Sequence, residues 1–238
     1  MVNLKNKLGI IVILIVILFV SASIYAYFAP QLKIKTIKLK GVNTFDENLI
    51  ISYAENYIGK NIIYLKSEKI EQKLTDLKYI NQADFKRKFP NIALFSIKES
   101  EVFFRFIKDQ KYYYIDKEGY VYSPSELKRK IILPVLKGFE IDDNAKRISF
   151  NSEMKEFIKN LDEYITVKQD APKEILLKNQ NVTLRYDDKY DIILGELENT
   201  TEKFRVLENI KDQIEQKEYE VKYVDISIYN KPVLKLKQ

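Results

Sequence analysis

The sequence of 238 residues contains no cysteine, no histidine and no tryptophan. Without cysteine there are no disulfides and no thiolate chemistry, and without histidine there is no imidazole base and no usual zinc site. A metal site would have to use carboxylates and carbonyls alone, and no segment has the spacing of a calcium-binding loop. The sequence therefore predicts no catalysis by cysteine or histidine, no metal and no cofactor.

Glycine is also scarce, with six residues in the whole chain, and neither a GxGxxG motif nor a Walker loop is present. A phosphate-cradling loop therefore has no support in the sequence. The formal net charge is +6. A charge this small for the chain length is typical of a mixed surface and predicts no nucleic-acid partner.

The one long apolar run covers residues 8–29 and contains no charged residue. As a helix it would be roughly 33 Å long, which matches the ~30 Å hydrocarbon core of a bilayer. We expect a single membrane-spanning helix that ends at Pro30, with residues 1–7 in the cytoplasm and the rest of the chain outside. A cleaved signal peptide is the alternative, because residues 21–23 are small, but the apolar run continues to Phe28, beyond the usual length of a signal core.

Residues 33–100 are predicted to form a β-α-α-β-β unit. A strand up to Gly41 precedes a helix that starts at a Thr44–Glu47 capping box and stops at Gly59. A second helix starts with Ser67 as its N-cap, and alternating segments at 80–88 and 92–99 predict two strands. Four lysines beside the apolar run, at positions 33, 35, 38 and 40, are read either as contacts to lipid headgroups or as a solvated strand face.

Residues 101–238 are predicted to form a second unit, rich in strands. Two amphipathic helices are expected, one over residues 151–165 and one that is capped by Thr200 or Thr201 and runs to Ile214. Strands are expected at 102–106, 112–115, 120–122, 174–178, 182–186, 191–194, 221–229 and 233–237. The predicted fold class is therefore α+β: an N-terminal helix, a β-α-α-β-β unit, and a mainly antiparallel β unit with packed helices.

Several segments in this order resemble the FtsQ/DivIB family of bacterial cell-division proteins, whose membrane-proximal unit is a POTRA domain. The resemblance starts in IKTIKLKGVNTFDENLI at residues 34–50 and continues in KFPN at 88–91, which is followed by IALFSIKES. Further similar segments are YIDKEGYV (114–121), LPVLKG (133–138), LGE (194–196), TEKF (201–204) and YVDISI (223–228). The chain departs from the family at 226–228, where the family often carries a basic residue, so no ion pair is inferred there.

The resemblance implies a POTRA domain over residues 33–100 and a β domain over residues 101–238. It also implies a non-enzymatic scaffold at the division septum, held in the plasma membrane by a single pass. The implied partners are FtsB/DivIC-like and FtsL-like proteins outside the membrane, and, through them, the septal peptidoglycan synthase.

The last predicted strand, at an open sheet edge, is the candidate binding site. An open edge presents unpaired N–H and C=O groups, which either accept a partner strand or need protection. The lysines on this strand are compatible with both roles, and the resemblance favours the binding of a partner strand. We expect residues 232–238 to bind, and Val233→Pro to abolish binding with the fold intact. The predicted contact residues are Ser227, Tyr229, Lys231, Val233, Lys235 and Lys237, with secondary contacts at Lys203 and Arg205.

Two other functions are alternatives on the sequence alone. The first is a POTRA-containing protein of secretion or envelope assembly. The second is a membrane-anchored enzyme that uses an acid pair or a Ser-Lys dyad, drawn from Asp142–Asp143, Asp187–Asp188, Ser67–Lys69 and Ser125–Lys128. The 17 tyrosines also suggest, as a minor hypothesis, that aromatic rings stack on the glycan of peptidoglycan.

Overall fold

The structure is a computed structural model that describes residues 4–138, 146–186 and 190–237. The chain divides into two compact units, Met1–Ser100 and Glu101–Gln238. The first unit begins with α1 (Leu4–Phe28). Its segment Leu8–Phe28 is long and apolar enough to cross a membrane, and none of that segment is buried within the protein. A short 3-10 turn, Pro30–Leu32, follows α1 because proline cannot continue the helix ladder.

The rest of the first unit is a three-stranded sheet covered by two helices. Its elements are β1 (Thr36–Lys40), α2 (Glu47–Ala54), α3 (Ser67–Thr75), β2 (Ile80–Lys88) and β3 (Ile92–Glu99). Strand β3 lies in the centre, parallel to β1 and antiparallel to β2. Buried side chains from both helices meet buried side chains of the sheet, among them Ile50, Ile70, Leu74, Phe85 and Phe95. The predicted β-α-α-β-β order is confirmed.

The predicted helix ends in this unit need correction. The Thr44–Glu47 capping box is wrong, because Asp46 is the N-cap of α2 and its carboxylate accepts a hydrogen bond from the Asn48 N–H at 3.0 Å. Helix α2 ends at Ala54 and a 3-10 turn replaces the predicted last turn. Ser67 is the first residue of α3, and the cap position is occupied by Lys66.

The second unit contains a nine-stranded sheet in the order β12-β11-β10-β9-β8-β7-β4-β5-β6. The strands are β4 (Val102–Lys108), β5 (Lys111–Asp116), β6 (Val121–Tyr122), β7 (Val135–Lys137), β8 (Glu174–Lys178), β9 (Asn181–Arg185), β10 (Asp191–Gly195), β11 (Val221–Asp225) and β12 (Val233–Leu236). Three neighbouring pairs, β4–β7, β7–β8 and β10–β11, are parallel and the others are antiparallel. The mainly antiparallel sheet is confirmed; β7 was not among the predicted strands.

Helices α4 (Ser152–Lys168) and α5 (Thr200–Lys217) pack with the sheet in one core. Phe157 and Leu161 of α4 meet Phe204 and Leu207 of α5 within this core. The sheet contributes residues that alternate along its strands, including Ile175, Val182, Leu184, Ile192, Leu194 and Val224. The predicted α5 cap is displaced by one residue, because Asn199 is the cap, in a left-handed conformation, and Thr200 is the first helical residue.

The two ends of the nine-stranded sheet differ. Next to β6, the N–H of Val121 donates to the carbonyl of Lys146 at 3.0 Å, and the N–H of Ile148 donates to the carbonyl of Gly119 at 2.8 Å. The backbones of Tyr120 and Arg147 also form an isolated antiparallel β-bridge. The segment 146–148 therefore occupies the β6 end, whereas β12 forms the other end.

Candidate partner-binding edge

Strand β12 lies at one edge of the sheet and pairs with β11 alone among the described residues. The pairing is antiparallel, and one extra residue of β11 forms a bulge between Val221 and Tyr223. Because the bulge lies on β11, the backbone of β12 keeps a regular alternation along its length.

Two backbone hydrogen bonds fix which groups of β12 face outward. The N–H of Lys237 donates to the Glu220 carbonyl at 2.8 Å, toward β11. On the far side of β11, the N–H of Ile226 donates to the Ile193 carbonyl of β10 at 2.9 Å. Since N–H groups point alternately to the two sides of a strand, Val233 and Lys235 also face β11. The N–H and C=O groups of Leu234 and Leu236 therefore face the open edge.

This alternation corrects the predicted effect of Val233→Pro. The N–H of Val233 is directed at β11, so proline at this position removes a ladder bond inside the sheet instead of a donor at the open edge. The variant therefore disturbs the fold of β12 and does not test the open edge by itself.

The side chains of β12 also alternate between two faces of the sheet. Leu234 packs against the main core, on the face covered by the helices. Val233 and Lys235 lie on the opposite face, where their cross-strand neighbours are Asp225 and Tyr223. The side chains of Lys235 and Lys237 are exposed. Val233 exposes 52% of its surface and Leu236 exposes 43%. A partner strand would thus meet both apolar and basic side chains.

The connection between β11 and β12 is a loop, not a continuation of the strand. β11 ends at Asp225, so the strand predicted to reach Tyr229 is wrong. Asp225 accepts hydrogen bonds from Ser227, and the N–H of Lys231 donates to the Ile228 carbonyl at 2.9 Å, which closes a turn. Ser227, Tyr229 and Lys231 are exposed residues of this loop, at the start of the edge.

A cleft of about 350 Å³ lies beside this loop, at the N-terminal end of α5. Gly195 lies in the cleft wall in a left-handed conformation, with φ at 68°. A Cβ atom there would lie 2.7 Å from the Cβ atom of Ser227, so only glycine lets the loop approach this closely. The other lining residues include Asn181, Glu196, Glu198, Asn199, Lys203 and Tyr229.

The two predicted secondary contacts have different environments. Lys203 is not on the outer face of the helix: only 3% of its surface is exposed, and its Nζ atom donates to the Glu196 carbonyl at 2.6 Å. Burial lowers the pKa of Lys203, and the nearby carboxylates of Glu198 and Glu196 act in the opposite direction. Arg205 is exposed and pairs with Glu202 at 2.9 Å. The sequence could not distinguish them, because a lysine in an amphipathic helix usually indicates a solvated face.

The groupings considered for an enzyme receive no geometric support in the described part of the chain. Ser67 and Lys69 are two residues apart in α3, a spacing that directs side chains to different faces of a helix. The hydroxyl of Ser125 lies 2.9 Å from that of Ser123. Asp142–Asp143 and Asp187–Asp188 lie outside the described residues. No group of three or more acidic, histidine or cysteine side chains in the described ranges is arranged to hold a metal.

In comparisons with known proteins, each of the two units matches a protein family. The family described as "POTRA domain, FtsQ-type" matches residues 32–99, and the family described as "Cell division protein FtsQ/DivIB, C-terminal" matches residues 105–227. The second match ends at Ser227, so β12 lies beyond it.

Relatives from clostridia are similar over most of the chain. A cell division protein DivIB of Clostridium tetani is 28% identical over 216 residues, which cover 87% of this chain and 81% of that protein. A cell division protein DivIB of Clostridium botulinum is 22% identical over 234 residues, which cover 96% of this chain and 91% of that protein. The chain therefore belongs to the FtsQ/DivIB family of cell-division proteins.

Proposed function

We propose that this protein is a non-catalytic scaffold of the division complex that binds an FtsB/DivIC-like partner by strand addition at β12. In this proposal α1 spans the plasma membrane once, residues 1–7 are cytoplasmic, and both folded units lie outside, at the septum. The FtsB/DivIC-like partner brings an FtsL-like protein with it, and through them the scaffold reaches the septal peptidoglycan synthase. The observation that carries the proposal is the open edge of β12.

The backbone supplies the affinity in this mode of binding, and the side chains supply the specificity. Outward-facing N–H and C=O groups of Leu234 and Leu236 offer two donors and two acceptors to an incoming strand. Lys235 and Lys237 lie on one face of β12, so a partner with carboxylates at alternate positions would be favoured on that face. The exposed loop residues Ile228 and Tyr229 extend the apolar surface next to the start of β12.

The alternative role for the lysines is to protect the edge from aggregation. Edge lysines in proteins do protect sheets from uncontrolled pairing. Such protection is strongest where the charge points inward or a bulge twists the edge strand. In this sheet Leu234 takes the inward position and the bulge is on β11, not on β12. The edge therefore keeps a regular backbone that can pair.

The test changes one outward N–H and leaves the ladder to β11 intact. Full-length chains with Leu236→Pro or Leu236→Ala are reconstituted in nanodiscs, and binding to the extracytoplasmic segment of the organism's FtsB/DivIC-like protein is measured. Leu236→Pro removes the donor and places a ring in the path of the partner strand, so we expect affinity to fall at least tenfold, about 1.4 kcal/mol. Leu236→Ala keeps the N–H and is expected to change affinity by less than about threefold.

Hydrogen exchange is the control that makes the result interpretable. The hydrogen-exchange protection of β11 amides must be the same in both variants, which shows that the internal ladder remains. Equal affinities for the proline and alanine variants would contradict strand addition and would move the site to the cleft beside α5 or to the first unit. A further variant, Arg205→Ala, tests the predicted secondary contact of that helix.

A further inference from the structure

The loop between α2 and α3 lies against the end of α1. The side-chain amide of Asn61 donates to two carbonyls of the last turn of α1, Ala26 at 2.7 Å and Tyr27 at 3.0 Å. The hydroxyl of Tyr64 reaches the carbonyl of Ser23 at 3.4 Å, and its ring meets that of Tyr27 with centroids 5.2 Å apart. The carbonyls of Ala26 and Tyr27 are among the last four of α1, which have no partner within the helix, so Asn61 supplies donors that the helix end lacks.

The loop is also held firmly to the rest of the first unit. Backbone hydrogen bonds join it to the segment that leaves α1: the Ile34 N–H donates to the Lys60 carbonyl at 2.9 Å, and the Ile62 N–H donates to the Leu32 carbonyl at 2.8 Å. From β2, the guanidinium of Arg87 donates to the carbonyls of Ile62 and Leu65. The position of the loop relative to α1 is therefore fixed by contacts on both sides.

Three apolar side chains of this fixed loop remain exposed. Ile58, Ile63 and Tyr64 expose 49%, 42% and 49% of their surface, although the neighbouring Ile62 is fully buried. Two lysines, Lys60 and Lys66, are exposed beside them. Together, Ile58, Lys60, Ile63, Tyr64 and Lys66 form a surface that we call the loop patch.

The position of the loop patch along the axis of α1 follows from its contacts with that helix. Ser23 is five residues before the end of α1, or about 7.5 Å along the helix axis. The ring of Tyr64 therefore lies beside the last turns of an apolar helix, not beyond it. In a bilayer spanned by α1, this level is the boundary between the acyl chains and the headgroup layer, where tyrosine rings are favoured and lysines reach outward to the headgroups.

The charge within the loop and within the segment that leaves α1 has one sign. Residues 29–35 and 58–66 contain no acidic residue. The turn that follows β2 belongs to the same end of the unit, because the Asn91 carbonyl accepts a hydrogen bond from the Lys35 N–H at 3.0 Å. The exposed basic side chains at this end are Lys33, Lys35, Lys60, Lys66 and Lys88. This combination of exposed apolar groups and lysines fits an anionic lipid surface.

We propose that the loop patch lies in the headgroup layer of the anionic bilayer that α1 spans and gives the first unit a second membrane contact. The inference rests on the proposed insertion of α1 and adds a fixed orientation of the first unit on the membrane surface. A loop that binds lipid and also caps α1 holds that unit close to the bilayer.

The absence of tryptophan makes a direct test possible. Three single-tryptophan variants of the full-length chain are reconstituted in nanodiscs: Ile63→Trp in the patch, Asn43→Trp at the other end of β1, and Phe19→Trp within α1. The nanodiscs contain equal parts phosphatidylglycerol and phosphatidylcholine, without bromine or with bromine on the acyl chains either near the headgroup, for positions 63 and 43, or near the chain end, for position 19. Fluorescence quenching by the brominated lipid and by aqueous acrylamide is measured for each variant.

We expect Trp fluorescence at position 63 to be quenched at least twofold more strongly by brominated lipid than at position 43, and less strongly by acrylamide. Phosphatidylcholine alone, or the added pair Lys60→Ser and Lys66→Ser, is expected to reduce the lipid quenching at position 63. If position 19 is quenched by lipid while positions 63 and 43 behave alike, the inference is wrong and the membrane span stands. If position 19 is not quenched either, the proposed span fails together with the inference.

Discussion

The Oδ1 atom of Asp225 accepts two hydrogen bonds from Ser227, one from the backbone N–H at 2.9 Å and one from the hydroxyl at 2.7 Å. This pair ends β11 and turns the chain into the loop that leads to the edge strand. The hydroxyl of Ser227 is thus engaged within the protein, although the sequence indicated it as a partner contact. Its main effect on binding is expected to be indirect, through the shape of the loop.

Replacing these two residues should separate the loop geometry from direct contact. Asp225→Ala removes both hydrogen bonds, and we expect it to destabilise the β11–β12 hairpin locally by about 1–2 kcal/mol. Ser227→Ala removes only the hydroxyl bond and should cost about 0.5–1 kcal/mol. Hydrogen exchange of the β11 and β12 amides measures both effects. A loss of partner binding in Ser227→Ala with unchanged exchange would show instead that the hydroxyl contacts the partner.

Glu99 is expected to be a main determinant of stability in the first unit. Its carboxylate accepts hydrogen bonds from three consecutive backbone N–H groups, those of Asn43, Thr44 and Phe45, each at 2.9 Å. Glu99→Ala leaves these donors without their acceptor, so we expect a loss of about 3 kcal/mol. The control is Glu101→Ala, the same truncation at the start of the second unit, since the Glu101 side chain is 71% exposed and pairs with Lys117. Exchange of the Phe45 amide reports the difference, and similar rates in both variants would contradict this role.

The sequence predicted best what depends on local periodicity. Strands β2 and β3 have the bounds that the sequence predicts, because the Phe89–Asn91 turn separates two segments of strand-like composition. Strand β7 was missed, since three residues between parallel neighbours give no alternation to detect. The anchoring role of Glu99 was also missed, because its acceptor function depends on a loop more than 50 residues away in the sequence.

At the candidate site, too, the features that depend on contacts between distant segments could not be predicted from the sequence. An edge strand near residues 233–237 was predictable from its alternation, but which of its N–H groups face outward depends on the pairing with β11. The burial of Lys203 was not predictable either, because it results from the close approach of the 195–199 segment to α5. For this reason Leu234 and Leu236, which carry the proposed backbone contacts, lie within the predicted binding segment 232–238 but are not among the individually predicted contact residues.

The second unit should lose stability in acid through Glu174. The hydrogen bond from Lys137 is the main reason that the pKa of Glu174 lies below the ordinary value of a glutamate; burial opposes this shift, and attraction by Lys137 and Arg185 adds to it. A folded-state pKa below the unfolded one stabilises the protein above the unfolded pKa, and this stabilisation is lost as pH falls through the folded pKa. Glu174→Gln should therefore lower the melting temperature of the second unit at pH 7 and have a smaller effect below about pH 4.

Calorimetry at pH 7 and at pH 3.5 measures this difference. Glu202→Gln is the control, because Glu202 pairs with the exposed Arg205 and is itself more exposed than Glu174. An equal loss of melting temperature at both pH values would show that the carboxylate charge of Glu174 is not responsible.

The segment 146–148 beside β6 determines how many strands the sheet can accept. Because β12 is the end left open among the described residues, the proposed strand addition would have a stoichiometry of one partner strand for each chain. Two copies that paired through β12 would each use their open edge and form a closed, two-fold dimer. Growth into a filament of sheets would need a second open end, so a partner strand and a second copy of the chain would compete for one edge.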